Sequence, residues 1–445
     1  MKPLILSLLL AIPALAAKPN ILFILADDLG YGDLSCYGQT RFQTPAIDEL
    51  AAGGIRFTGH YSGSTVCAPA RASLMTGKDT GHTAIRGNGS FELPATETTV
   101  ATLLRQAGYR TALIGKSCVT GNTQTPQTLA RHGFDYFYGT TDHRDGHFRY
   151  PKFLYENTKR IDFPDNNLHT GSHYDLDLYT EKALAQLDAQ SAEKPFFLLL
   201  SIPVPHASIN LPEESIPGKP VKHPHYTRVA DPQKSYAGLM GRIDKTVGAL
   251  SDKLREKDLL DNTIVIFTSD NGPHAEGGYQ PAMLKSSGVL RGHKRGLYEG
   301  GIRVPFIVHW PASIRPGRTS PHPSAFWDFL PTVCELTGIP APANIQGISY
   351  LPILTEKEGQ AAHDHLYWEL NEQGGRQALR AGDWKIVRYD LNKKPAGPIE
   401  LYNLKEDPSE TTDLAGKHPD VLGRLTAMLQ KARVPCPLFP WPALD

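Results

Sequence analysis

Apolar residues fall along the chain in two textures, short continuous runs and longer stretches with a helical period. Residues 20–26 (NILFILA), 195–201 (PFFLLLS) and 263–268 (TIVIFT) are nearly continuous apolar runs, the pattern of strands buried on both faces. Residues 111–114 and 304–309 continue that series, and 55–57 is a shorter example. Between them, residues 98–107, 174–187, 235–254 and 325–336 carry amphipathic helical spacing, and Thr44-Pro45 marks a capped helix start. This alternation predicts an α/β fold with a large mixed, mostly parallel sheet flanked by helices. Beyond about Pro352 the texture shifts to short strand-like segments at 365–369, 377–380, 384–389 and 400–403, then a helix over 419–432. That predicts a small C-terminal antiparallel sheet plus helix. The charged stretch 355–359 sets the expected boundary, giving a catalytic unit over 18–355 and an α+β subdomain over 356–445. Residues 132–168, rich in histidine and aromatics, read as a long irregular connection of the kind that is usually functional or disordered.

The same hydrophobic pattern has a different meaning at the N-terminus. Met1-Lys2 precedes an apolar run over 4–15, and Ala14-Leu15-Ala16 is a small-x-small cleavage site. Residues 1–17 therefore read as a secretory signal peptide, too short for a bilayer span, and the expected product is exported, periplasmic or extracellular. With 46 Lys+Arg against 46 Asp+Glu there is no basic excess to suggest nucleic acid or an anionic membrane. An anionic substrate must then be met by local cations. The five cysteines are Cys36, Cys67, Cys118, Cys334 and Cys436, an odd number for an exported chain. One thiol is expected to have a separate fate, leaving four for up to two disulfides. Their wide spacing does not resemble a zinc site.

Candidate chemistry starts at Cys67. Pro69 has the dihedral of a first helical turn, Ala70, Ala72, Leu74 and Met75 favour a helix, and Gly77 closes it. Cys67 then lies at the helix N-terminus, where negative charge is favoured, with the guanidinium of Arg71 one turn on. Asp27 and Asp28 follow the strand at 20–26, and Asp270 and Asn271 follow the strand at 263–268. In open α/β sheets the carboxyl edge is where ligands bind, so four oxygen donors converge there. Adjacent carboxylates repel unless a cation lies between them, and hard oxygen ligands suit Ca2+ or Mg2+. Taken singly, Asp-Asp and Asp-Asn-Gly are common turns; the joint placement at strand ends favours a metal. Lys116 and Lys294 adjoin glycines that could turn their head groups inward, and His206 follows the strand that ends near Ser201.

The spacing Cys67-x-Pro69-x-Arg71, continued by Ala72, Ser73, Leu74, Thr76 and Gly77, resembles the signature of the type I, formylglycine-dependent sulfatases of the alkaline-phosphatase superfamily. Gly115-Lys116 and the block from Leu290 through Gly292, Lys294, Gly296, Gly300 and Gly301 to Pro305 resemble two further family blocks. The resemblance implies a sulfuric ester hydrolase. It implies that Cys67 is oxidised to Cα-formylglycine by a formylglycine-generating or anaerobic sulfatase-maturating enzyme. Asp27, Asp28, Asp270, Asn271 and residue 67 would hold a divalent cation, usually Ca2+ with Mg2+ as the alternative. Arg71, Lys116, His206 and Lys294 would be catalytic.

The chain departs from the family in one place. Most relatives read Gly-Lys-Trp-His-Leu-Gly, and this chain reads Gly115-Lys116-Ser117-Cys118-Val119-Thr120, so Cys118 stands where the family has its base. His147, then His143, are the candidates to replace it. Two alternatives stay open: a phosphatase or phosphonate hydrolase of the same superfamily, and a binder of sulfated glycans impaired in catalysis. Gly272-Pro273-His274 and the segment 150–154 resemble the branch acting on galactose- or N-acetylgalactosamine-type sulfates and on sulfated polysaccharides. A sulfated carbohydrate is therefore the expected partner. His82, Arg86, Asn88, His274 and Arg291 are candidates for a sugar subsite, and Trp368 and Arg376 for closing the pocket.

Overall fold

Strand Asn20–Asp27, apolar everywhere but at its two ends, runs through the interior of a ten-stranded sheet. The computed structural model describes residues 18–191, 193–212 and 229–445, so the expected signal peptide lies outside the described residues. Across the sheet the strands run Arg318–Ser320, Ile55–Phe57, Phe306–His309, Thr263–Ser269, Asn20–Asp27, Phe196–Pro205, Arg110–Lys116, Tyr136–Thr140, Phe153–Glu156 and Lys159–Asp162. The five from Thr263–Ser269 to Tyr136–Thr140 are mutually parallel, and their carboxyl ends share one edge. Phe306–His309 runs antiparallel to its neighbours, so the chain that feeds it arrives at that same edge.

Alternation along the central strand sends Ile21, Phe23 and Leu25 into one core and Leu22, Ile24 and Ala26 into another. This is why the run is continuously apolar: each face of the sheet has its own helical layer. Helices Cys67–Thr76, Val100–Gln106 and Phe329–Thr337 cover the first face, and Pro45–Ala52, Asp175–Asp188 and Pro232–Glu256 the second. Among the described residues no helix is long and apolar enough to cross a membrane.

The C-terminal meander Leu366–Leu370, Arg376–Ala381, Trp384–Tyr389 and Ile399–Asn403 is antiparallel throughout. One face packs under helix Pro419–Leu429 through Leu425 and Leu429. The other packs Trp368, Ala378, Val387 and Tyr402 against Tyr61, Leu297, Ile302 and Trp327 of the large unit. Lys385, wholly buried, crosses that seam to Glu299 at 2.9 Å and meets Glu410 at 2.8 Å.

Two expectations need correction. Residues 132–168 are not an irregular connection: they hold strand Tyr136–Thr140 and the hairpin Phe153–Glu156/Lys159–Asp162, which extend the sheet. The aromatic residues there are strand formers on a half-buried surface. The five cysteines are all free thiols, so the two possible disulfides do not form. Cys118 and Cys334 are instead packed as small apolar groups in the first core.

Candidate active site

The site is built where the parallel strands end. Asp27 is the last residue of its strand, and Asp28 follows with φ +65°, in the left-handed region that aspartate tolerates better than most residues. Its backbone N–H donates to Asp270 Oδ1 at 3.1 Å, tying two strand ends together. Gly115, at φ +106°, lies flush against the next strand; a Cβ there would come within 2.0 Å of Ser201 O. That close approach sets Lys116 beside Asp27 Oδ2, at 2.5 Å. Lys294, carried on the loop before the antiparallel strand, reaches Asp28 Oδ2 at 2.7 Å.

Helix Cys67–Thr76 is buried along its whole length and points its first residue at this edge. Asn88 Oδ1 accepts the Ala68 N–H at 3.2 Å, satisfying one of the first-turn donors. The Cys67 thiol donates to Asp27 Oδ1 at 3.2 Å. Burial, then the neighbouring Asp27, push that thiol well above its ordinary range, so it is protonated and not an activated thiolate. Arg71 reaches Asp270 Oδ2 through Nε at 2.9 Å and Nη2 at 2.8 Å, and Asp27 Oδ2 at 3.2 Å. Its Nη1 donates to Ser201 Oγ, and Ser201 Oγ in turn donates to Lys116 O at 2.6 Å.

The electrostatics follow from wholly buried acids among cations. Burial opposes ionisation of Asp27, yet Lys116 and Arg71 hold its carboxyl well below the usual range. Burial outweighs Lys294 at Asp28, whose pKa is raised. Burial and the adjoining Asp27 raise Asp270 to about 7. Asn271 Nδ2 donates to Asp28 Oδ1 at 2.6 Å and to Gly272 O at 2.9 Å, while its Oδ1 is buried with no hydrogen-bond partner among the described residues. An orphaned amide oxygen beside three carboxylates and residue 67 fits a hard divalent cation. Asp27, Asp28, Cys67 and His206 also bring one ligand atom each within 4.8 Å of one another.

A second group of Asp28, His274 and Glu276 converges nearby, but it fits a cation less well. His274 Nδ1 accepts the Glu276 N–H at 3.1 Å and Nε2 donates to Pro205 O at 3.0 Å, so both ring nitrogens are used. Glu276 is already paired with Arg295 and lies 3.8 Å from Lys294.

His206 donates from Nδ1 to Ala207 O, leaving Nε2 3.4 Å from Asp28 Oδ2. Burial, then Lys294, lower it to about 3, so the ring is neutral. His147 stacks on it, ring centroids 4.2 Å apart and planes 9° from parallel, so the structure brings His147 to the site. His143 is buried close by, near enough to feel Lys116 and Arg71, but its Nε2 is taken up by Ser117 O at 3.0 Å. Cys118 lies behind Arg71, 3.7 Å from Nη1 and 3.9 Å from Ser201 Oγ.

Several sugar-subsite candidates are absorbed by packing. Arg86 pairs with Glu369 at 3.0 Å, Arg291 donates to Tyr402 Oη and Glu410 O, and His82 bonds Asp79. Trp368 is fully buried and donates to Ser62 O at 2.9 Å, so it does not close the pocket. Arg376 does line a cavity of about 470 Å³, together with Lys294. Ser201 and Glu276 are missing from the sequence-based candidates. The only signal for either is proximity, Ser201 at a strand end and Glu276 two residues after His274.

Comparison with known proteins bears on what this cluster does. Residues 19–339 match the family profile Sulfatase, and residues 292–434 match N-sulphoglucosamine sulphohydrolase, C-terminal. The chain is 30% identical to N-acetylgalactosamine-6-O-sulfatase of Bacteroides thetaiotaomicron, over 94% of its own length and 93% of the relative's. It is 32% identical to human arylsulfatase A, over 96% and 91% of the two lengths. The crystal structure of Ps i-CgsB in complex with k-i-k-neocarrahexaose superposes with a TM-score of 0.78 at 26% identity, covering 93% of this chain and 92% of that one. The chain belongs to the sulfatase family and is a sulfuric ester hydrolase.

Proposed function

We propose that the protein is an exported sulfatase that hydrolyses sulfate esters on a sulfated sugar or polysaccharide through Cα-formylglycine made from Cys67. One observation carries the reading: the first residue of a buried helix is aimed into a cluster of Asp27, Arg71, Lys116 and Lys294, yet as a thiol it is protonated and inert. The position is that of a nucleophile, and the encoded side chain is not one. Oxidised to the aldehyde and hydrated, residue 67 would supply two hydroxyls on one carbon, one to attack sulfur and one whose deprotonation expels sulfate. A divalent cation, Ca2+ or Mg2+, held by Asp27, Asp28, Asp270, Asn271 and residue 67, would supply Lewis acidity beside that oxygen.

The chain's own groups divide the remaining work. Arg71, fixed by Asp27, Asp270 and Ser201, is a rigid cation beside residue 67 and steadies charge on its oxygen. Lys116 and Lys294 hold the peripheral sulfate oxygens, where fixed cations lower the barrier without reorganising. Lys294, against Asp28 Oδ2, is the group with a proton for the leaving alcohol, and His206 beside the same oxygen would assist once it takes up a proton at Nε2. His147, stacked on His206, takes the role of base that Cys118 cannot fill. Among the described residues only one cation's ligands are well supplied, which favours sulfate over the two-metal phosphatase alternative. The similarity to an N-acetylgalactosamine-6-O-sulfatase favours an amino-sugar or galactose-type sulfate. Export rests on the apolar run at 4–15 and the site at Ala14-Leu15-Ala16. The division at residue 355 is supported by a separate four-stranded sheet with its own helix.

The test has two readouts. Mass spectrometry of the peptide carrying residue 67, after co-expression with a formylglycine-generating or anaerobic sulfatase-maturating enzyme, is expected to show the aldehyde. The same preparation is expected to turn over an aryl sulfate faster than the matching aryl phosphate. An unmodified thiol with no hydrolysis favours the glycan binder, and phosphate preference favours the phosphatase.

A further inference from the structure

The cavity beside Lys294 has two walls. One is the large unit's loop with Glu276, Lys294, Arg295 and Tyr298, and the other is the small sheet with Arg376 and Tyr389. Lys294 belongs to both the cavity and the acidic cluster, so the cavity opens on the reacting end. Arg376 is 6% exposed, and its Nε is buried without a hydrogen-bond partner among the described residues. Its other contacts are neutral: Nη1 donates to Arg295 O, Nη2 to Gln373 O at 3.0 Å, Gln373 Oε1 at 3.2 Å and Glu372 O at 3.5 Å, and the guanidinium lies 5.1 Å from the Tyr389 ring centroid. No carboxylate among the described residues forms an ion pair with it. Glu372 and Asp390 are near enough to be felt electrostatically, but Glu372 Oε1 is engaged by the Asn88 N–H at 2.9 Å. Among the described residues the other arginines buried at least as deeply, Arg71, Arg86 and Arg149, all have carboxylate partners.

A buried guanidinium without a counter-ion is costly unless something supplies one. Its planar fork matches a sulfate or a carboxylate. Tyr298 and Tyr389, ring centroids 5.3 Å apart, border the same space, with Arg291 stacked 3.7 Å from the Tyr298 centroid. We propose that Arg376 receives a second anionic group of the substrate, a sulfate or a carboxylate on the same or the adjoining sugar. The preferred ligands are then saccharides with two negative groups. This rests on the sulfatase reading above and names its substrate class.

The experiment is calorimetric binding to the full chain carrying Cys67→Ala, with and without Arg376→Gln or Arg376→Lys. The probes are galactose with one sulfate, galactose with two sulfates, and a disaccharide of monosulfated galactose with a uronic acid. With Arg376 present, one or both two-anion probes are expected to bind at least tenfold tighter than the monosulfated sugar, and which of them does identifies the anion. Arg376→Gln is expected to erase the ratio; Arg376→Lys keeps part of it, because the charge remains without the fork. An equal ratio in Arg376→Gln or Arg376→Lys, or equal affinity for all three probes with Arg376 present, overturns the proposal. Hydrolysis of 4-nitrophenyl sulfate by the matured wild-type chain is scored separately. Its absence would count against the sulfatase reading, while the binding ratios still decide the role of Arg376.

Discussion

Replacing Lys385 by Met removes the ammonium shared by two buried carboxylates, Glu299 at 2.9 Å and Glu410 at 2.8 Å. All three side chains are wholly buried, so water cannot substitute for the lost charge. Glu299 keeps Arg303 at 2.6 Å and the Tyr61 hydroxyl at 2.7 Å. Glu410 keeps the Glu299 N–H at 2.6 Å. Burial already raises Glu410 to about 7, from an ordinary value of 4.5, even with Lys385 in place. A carboxyl raised on folding favours the native state fully below its unfolded pKa and loses that contribution as pH rises through the folded value. The loss at neutral pH is about 3 kcal/mol by linkage. Removing one partner of a buried ion pair costs about 3–5 kcal/mol. Lys385→Met is therefore expected to lose about that much at pH 8, and distinctly less at pH 5, where Glu410 takes up a proton. The double variant Lys385→Met/Glu410→Gln is expected to recover much of the loss. Guanidinium unfolding at the two pH values measures all three chains. A loss under about 1 kcal/mol at pH 8, or the same loss at both pH values, refutes the reasoning.

Three further outcomes are expected. His147→Asn should lower kcat on an aryl sulfate by about a hundredfold or more, with KM little changed; an unaltered kcat removes His147 as the base. Calcium should raise the melting temperature of the wild-type chain, by the equivalent of about 3 kcal/mol at a hundredfold excess over its Kd. Asn271→Ala should need far more calcium for the same rise, and an identical titration would take Asn271 out of the ligand set. His60 is buried, bonded to Ser324 Oγ through Nδ1, without a partner at Nε2, and lowered to about 3 by burial. Because the unfolded chain takes up that proton first, stability falls as pH drops below about 6.5, by about 2 kcal/mol at pH 5. His60→Phe should flatten the slope between pH 7 and pH 5 in denaturant midpoints, and an unchanged slope would rule the ring out as its source.

Strands buried on both faces are legible because every position is apolar, and the polar residue that ends such a run marks the sheet edge. Asp27, Asp28, Asp270 and Asn271 follow such runs, and the structure brings them together. Prolines hide the rest of the next strand: Pro203 and Pro205 read as breakers, yet the ladder continues to a pairing of Asp27 with Pro205. Gly139 sits inside a strand because a Cβ there would lie 1.8 Å from Gly115 O in the adjacent strand, a close approach that residue spacing does not show. Ser201 and Glu276 belong to no motif, and their importance comes from long-range neighbours that sequence spacing does not encode. The burial of Trp368 depends on a seam between two sheets, visible only after both are assembled.

On the proposed reading, the burial of Cys67 also sets an order of events in the life of each molecule. Cys67 is 4% exposed, and each residue of the helix it begins is buried. Another protein's active site that must grip the backbone around residue 67 cannot do so without opening that helix, at a cost set by the cooperative core. Any enzyme that rewrites this residue must meet it as an extended segment, before strands from both halves of the chain close over it. A copy that folds first is sealed with an inert thiol. If residue 67 is modified as proposed, the active fraction of a preparation would record a race between folding and modification, and slowing the one should raise the yield of the other.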